Sequence, residues 1–200
     1  MTAPSIAVVD YRAGNLTSVI KGLTAAGAEP FITDDPAAVR GADAIVLPGV
    51  GHFSATANIG AGMRDVLCAA TTSKPLLGIC LGLQFLFDGS DEAPDLQGLG
   101  LLGGGCFLLP PTQKVPHVGW NNIEVSAGSR ILDGVSDGAS FYFTHSYAAP
   151  VTDVCVGRTA YTAPFASVIE WGNVYGVQFH PEKSGEDGMR ILRNFVAQCR

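Results

Sequence analysis

Short apolar runs punctuate the first half of the chain at 5–9 (SIAVV), 31–33 (FIT), 44–47 (AIVL) and 75–79 (PLLGI). Runs this short, apolar at consecutive positions, suit strands buried on both faces. Between them, residues 16–26 form a helix closed by Gly27, and 54–70 predict a second helix. Leu81, Gln84, Phe85 and Leu86 recur at helical spacing directly after the 75–79 strand. Strands separated by such stretches need crossovers, so the sheet they build is largely parallel.

After Phe87 the pattern changes. Residues 88–97 are polar and loop-like, and 98–109 are glycine-rich, which weakens any strand there. Residues 123–125, 140–147, 154–160, 165–171 and 174–179 predict strands, the last two joined by a Gly172-Asn173 hairpin turn. Residues 185–200 carry Ile191, Leu192, Phe195 and Val196 on one helical face. The expected fold is α/β, a three-layer αβα arrangement whose mostly parallel sheet gains antiparallel strands in the C-terminal half. No repeat or linker divides residues 1–200, so one domain is expected.

Composition narrows the function. With 47% hydrophobic and 15% charged residues the chain is too apolar for disorder, and a mean hydropathy of +0.27 suggests apolar surface kept for a partner. A net charge of -6 argues against nucleic acid or an anionic membrane as the main partner. No apolar run is long enough to cross a membrane or serve as a signal peptide. Five cysteines without a metal-binding spacing make a disulfide framework or metal site unexpected, and a cytoplasmic location fits. Cys68, Cys106, Cys155 and Cys199 read as small buried hydrophobes.

Cys80 reads differently. In Gly78-x-Cys80-x-Gly82 a strand meets a helix at a turn so sharp that small residues must flank the nucleophile on both sides. A thiol there sits at a helix N-terminus, where the thiolate is favoured. Its base would be His180, which ends the 174–179 strand and is held extended by Pro181. Extended backbone points residues two apart the same way, so Glu182 would orient the imidazole. Cys80, His180 and Glu182 would then form a catalytic triad; without Cys80 the 180–182 segment reads better as a polar strand-to-helix turn whose Glu182 serves the N-terminal dipole of the last helix. Pro48-Gly49-Val50-Gly51 follows another strand, and with a glycine on either side the Val50 amide would form an oxyanion hole with the Leu81 amide, although an ordinary tight turn into the 54–70 helix explains the segment equally. Gln84, one helical turn beyond Cys80, could meet a polar substrate, although a solvated helix position explains it equally. His52, His117 and His145 read as packing or loop-bonding residues near these loops.

GICLGLQ around Cys80, PGVG at 48–51 and VQFHPEKS at 177–184 resemble the class I, triad-type glutamine amidotransferases, a flavodoxin-like fold family. Within that class DYRAGN, PGVGHF, KVPHVGWN and YFTHSY resemble the glutaminase subunits of imidazole glycerol phosphate synthases. Arg12 stands where glycine is usual, and Leu83 where methionine is usual. The resemblance implies hydrolysis of glutamine to glutamate and ammonia through a glutamyl thioester on Cys80, with no cofactor. It also implies that Gln84 and the backbone around His145, Ser146 and Tyr147 hold the amino-acid end of glutamine. The partner implied is a cyclase subunit, a (β/α)8 barrel, which uses the ammonia in histidine biosynthesis within a heterodimer. Asn15, Trp120, Tyr142 and Lys183 match interface positions. Because unchecked hydrolysis would waste glutamine, the Gly49-Val50 peptide is expected to be misoriented until the cyclase binds its nucleotide.

The competing readings are a glutaminase serving pyridoxal phosphate or anthranilate synthesis, a nonenzymatic flavodoxin-like binding subunit, and a cysteine peptidase. KVPHVGWN argues against the first. Labelling of Cys80 by a glutamine-like electrophile would separate the second, and turnover of peptides the third.

Overall fold

Ile6 and Val8 belong to one buried cluster and Ala7 and Val9 to another, as a strand covered on both faces requires. They lie in β1 (Ser5–Val9) of a computed structural model that describes residues 2–126 and 128–199. The chain continues through α1 (Leu16–Ala25), β2 (Glu29–Thr33), α2 (Pro36–Gly41), β3 (Ala44–Leu47), α3 (Ala61–Ala70), β4 (Leu76–Ile79) and the short α4 (Leu81–Phe85). Next come β5 (Gly89–Ser90), β6 (Gly105–Leu108), β7 (His117–Asn122), β8 (Glu124–Val125), β9 (Ser140–His145) and β10 (Tyr147–Ala148). The chain closes with β11 (Cys155–Ala160), β12 (Pro164–Trp171), β13 (Val174–Val177) and α5 (Gly185–Ala197).

The central sheet has the order β2-β1-β3-β4-β13-β12-β11-β8. The strands from β2 to β13 pair in parallel, and β12, β11 and β8 add antiparallel. That is the expected mixed sheet. Val19 and Leu23 of α1 and Ile191, Leu192 and Phe195 of α5 cover one face, while Val39 of α2 and Met63, Val66 and Leu67 of α3 cover the other. Burying each such side chain contributes about 1.5–3 kcal/mol, enough to hold helices whose own propensity is weak. Smaller sheets, β10-β6-β5 and β7-β9, stand beside the main one. Among the described residues no helix is long and apolar enough to cross a membrane.

Several local expectations need correction. The 54–70 helix is broken: a 3-10 turn over Phe53–Asn58 ends at an extended Ile59, and α3 restarts beyond Gly60. The turn buries Phe53 near Phe85, and His52 Nδ1 caps it by accepting from the Ser54 amide at 3.1 Å. The 140–147 strand is interrupted at Ser146, because β9 pairs with β7 while β10 pairs with β6. The 174–179 strand ends at Val177 and the 123–125 strand is shorter, with β7 ahead of it, whereas only 105–108 of the glycine-rich run forms a strand. Cys106 is buried as expected, but Cys68, Cys155 and Cys199 are only partly so.

Candidate active site

β4 and β13 are parallel neighbours with Ile79 opposite Val177. Cys80 follows β4 directly and its amide donates to the Val177 carbonyl at 2.8 Å, while His180 stands just past the same end of β13. Strand register therefore brings together two residues far apart in the chain, at the carboxyl edge where α/β sheets keep their ligands.

The turn at Cys80 is strained. Its φ of 53° and ψ of -105° lie outside the regions that residues with a Cβ populate. Flanking glycine is obligatory: a Cβ on Gly78 would stand 2.7 Å from the Gly82 backbone, and one on Gly82 would stand 1.7 Å from the Leu47 carbonyl oxygen. The thiol is thereby presented at the head of α4, with the sulfur 3.9 Å from the Thr144 carbonyl.

His180 Nδ1 meets Glu182 Oε1 at 2.9 Å, with both side chains only 3% exposed. The expected route to this contact is wrong, although the contact forms. Residues Pro181–Lys183 make a 3-10 turn instead of continuing extended, and the turn folds Glu182 back under the imidazole. The His180 amide donates to the Tyr142 carbonyl at 3.0 Å and its carbonyl accepts from Ser184 Oγ at 2.6 Å, which fixes the ring's origin. Burial alone would lower the pKa of His180, but hydrogen bonding and charge from Cys80 and Glu182 outweigh it and push it up to about 9. With Nδ1 taken by Glu182, the buried Nε2 is the nitrogen left to face the Cys80 sulfur.

The two proposed oxyanion donors are not presented together. The Leu81 amide donates to the Gly49 carbonyl at 3.3 Å. Since the Gly49-Val50 peptide is trans, the Val50 N–H points the opposite way. Gly14, with a φ of +107°, backs this peptide so closely that a Cβ there would lie 3.3 Å from the Val50 nitrogen. Tyr11 Oη, buried and without a hydrogen-bond partner, stands 2.0 Å from where a Cβ on Gly49 would fall. Arg12 adopts a φ of +64°, the left-handed conformation that favours glycine.

A small cleft opens beside Cys80, lined by Leu81, Gln84 and the 145–147 segment, with Gly51 and Glu92 in addition. Gln84 is buried, so the solvated alternative fails, and its Nε2 donates to the Tyr147 carbonyl at 2.8 Å. The His145 ring is fully engaged: Nδ1 bonds the Tyr147 carbonyl at 2.9 Å and Nε2 meets His117 Nδ1 at 3.0 Å. His145 thus positions the cleft backbone instead of offering its ring, and burial holds it neutral, down to about 3, with His117 down to about 4. Two residues escaped the sequence reading. Glu92 takes the Phe53 amide on one oxygen at 2.6 Å, and Gln178 lies against the sulfur; only the latter had a local signal, two positions before His180. Roomier grooves, such as one between α2 and α3 lined by Arg40, Asp65 and Lys74, bring no nucleophile beside a histidine.

Trp120, Tyr142 and Lys183 cluster outside the site. The Trp120 and Tyr142 rings are 6.2 Å apart and Lys183 Nζ lies 5.9 Å from the Tyr142 centroid, while Trp120 is 58% exposed. Asn15 caps α1 separately, its Oδ1 accepting from the Ser18 amide at 3.4 Å.

The model of the family described as glutamine amidotransferase class-I matches residues 7–199. The chain belongs to that family. As a class I amidotransferase it is similar to the protein named imidazole glycerol phosphate synthase subunit HisH of Methanothermobacter thermautotrophicus, 46% identical over 98% of this chain and 99% of the relative. It is also similar to HisH of Thermococcus kodakarensis, 48% identical over 95% and 98%. Its fold is shared with PurLQS of Thermotoga maritima, with a TM-score of 0.75 at 22% identity over 99% of this chain and 100% of that one. In the amidotransferase frame Cys80, His180 and Glu182 stand at one sheet edge, and the Gly49-Val50 peptide bars the neighbouring donor.

Proposed function

We propose that this chain is the glutaminase subunit of an imidazole glycerol phosphate synthase, hydrolysing glutamine and passing ammonia to a cyclase subunit for imidazole glycerol phosphate synthesis. The observation that carries the chemistry is the buried His180–Glu182 pair facing a thiol on a strained elbow. Close kinship with HisH subunits supports the choice of synthase.

The Cys80 thiolate attacks the side-chain carbonyl carbon of glutamine, and the carbonyl electron pair moves onto oxygen. As the tetrahedral species collapses, the His180 imidazolium gives its proton to the departing nitrogen, releasing ammonia and leaving a glutamyl thioester. His180, now neutral, takes a proton from water as that water attacks the thioester, and the carbon–sulfur bond breaks to give glutamate and the thiolate. Glu182 keeps the ring oriented throughout and balances its charge. Glu92, with one oxygen spent on Phe53, offers the other to the α-ammonium, and the backbone at 146–147 faces the α-carboxylate.

The oxyanion needs the Val50 and Leu81 amides, so the Gly49-Val50 peptide must turn over before turnover is fast. Loss of one such donor costs roughly 10²–10³ in rate, which sets the scale of the gate. The Trp120, Tyr142 and Lys183 patch, with Asn15 at the head of α1, forms the face for a (β/α)8 cyclase, and Tyr142 ties that face to the His180 amide. One glutaminase domain in a reducing cytoplasm fits the free cysteines.

Glutamate release by the chain alone and with a cyclase subunit holding its nucleotide tests this reading. At least a hundredfold rise on adding the partner is expected, with Cys80→Ala silent in both settings. Ammonia production by Cys80→Ala would overturn the mechanism, and full activity of the lone chain would overturn the gate.

A further inference from the structure

Gln178 is completely buried, although an apolar side chain of its size would fill the same space without losing hydration. Its amide is instead spent on the nucleophile. Nε2 lies 3.6 Å from Cys80 Sγ, and Oε1 accepts from Gln84 Nε2 at 3.3 Å. Gln84 Nε2 also donates to the Tyr147 carbonyl on the wall of the substrate cleft. This chain has one sensible direction: turning the Gln178 amide over would set its N–H groups against those of Gln84 and its oxygen against the sulfur.

We infer that Gln178 is a fourth catalytic residue, donating an amide hydrogen to the Cys80 sulfur and, through Gln84, tying that sulfur to the wall of the glutamine cleft. The inference rests on Cys80 being the nucleophile. A thiol needs only the Thr144 carbonyl as acceptor, whereas a thiolate needs donors, and Gln178 Nε2 supplies one. Gln178 therefore favours the reactive form and restrains the sulfur while His180 handles protons. Occupation of the cleft bears on Tyr147 and Gln84, so substrate has a short path to the sulfur's hydrogen bond.

The test is the pH dependence of Cys80 alkylation by iodoacetamide in the full chain, followed by mass spectrometry of the Cys80 peptide. Two variants are compared with the unaltered protein. Gln178→Met keeps the volume and removes the donor; Gln178→Glu keeps the acceptor for Gln84 and replaces the donor with an oxygen. The other titratable groups around the sulfur, His180 with its partner Glu182, the buried Tyr11 phenol, and His145 and Glu92 on the cleft, are unchanged in both. A hydrogen bond to a charged group moves a titration by about 1–2 pH units, and the long sulfur contact sets the lower figure here. The half-maximal pH of labelling should rise by about one unit in Gln178→Met and further in Gln178→Glu, with the high-pH rate within about twofold of the unaltered protein. A profile that overlays the unaltered one, or shifts down, in either variant with a native circular dichroism spectrum overturns the role of Gln178. If Cys80 of the unaltered chain labels no faster than Cys68, the nucleophile itself is misassigned and both readings fall.

Discussion

At most positions replacing alanine with glycine destabilises a protein; at residue 80 the order should be reversed. The φ of 53° with ψ of -105° places Cys80 in a region that costs about 1–3 kcal/mol for any residue carrying a Cβ. Cys80→Ala keeps the Cβ and with it the strain. Cys80→Gly releases the strain but gains unfolded-state entropy worth about 0.5–1 kcal/mol and gives up one buried carbon worth about 0.8 kcal/mol. At an unstrained buried site these two losses would leave glycine about 1.5 kcal/mol below alanine. With about 2 kcal/mol of strain relieved, glycine should lie about 0.5 kcal/mol above it. Urea titrations of the two variants at neutral pH, under reducing conditions and with equal slopes, measure the difference directly. Neither variant can hydrolyse glutamine, so the comparison separates strain from chemistry. A glycine variant about 1.5 kcal/mol less stable than the alanine variant would refute the idea that the elbow stores strain to present its sulfur.

Glu92→Gln should raise the KM for glutamine about tenfold with kcat little changed, because it removes a charge-assisted bond to substrate and leaves the triad alone; a fall in kcat at constant KM would count against that role. The native fold should lose stability as pH falls below 6.5, since burial holds His117 and His145 to about 4 and about 3 while their unfolded forms take up protons. Each contributes up to about 1.4 kcal/mol per pH unit in that window, so the urea midpoint should drop visibly between neutral and mildly acidic pH; a flat midpoint would contradict the buried neutral pair. His180 works in the opposite sense: its pKa of about 9 adds stability that is complete below 6.5 and fades as pH rises through 9.

The elbow was legible because its demands are local: a strand, two glycines at fixed offsets and a helical continuation lie within one short segment. The Gly172-Asn173 turn and the amphipathic α5 were legible for the same reason. What misled was also local. Residues 54–70 look continuously helical, yet Phe53 packs toward Phe85 and the chain breaks before Gly60. Glu182 reaches His180 through a 3-10 turn that Pro181 opens, where alternation along an extended strand suggested a different path to the same contact. Glu92 had no signal, since it meets the cleft only through a loop held by the Phe53 amide.

By itself the sequence determined the sheet-and-helix alternation, the strained turn that carries Cys80 and the residue types able to serve it, because spacing over a few positions dictates backbone conformation. Only the tertiary structure decided that β13 lies beside β4, that His180 and Gln178 therefore meet the same sulfur, and that the Gly49 carbonyl occupies the Leu81 amide. Those contacts depend on strand register and peptide orientation across distant segments, which no local pattern encodes.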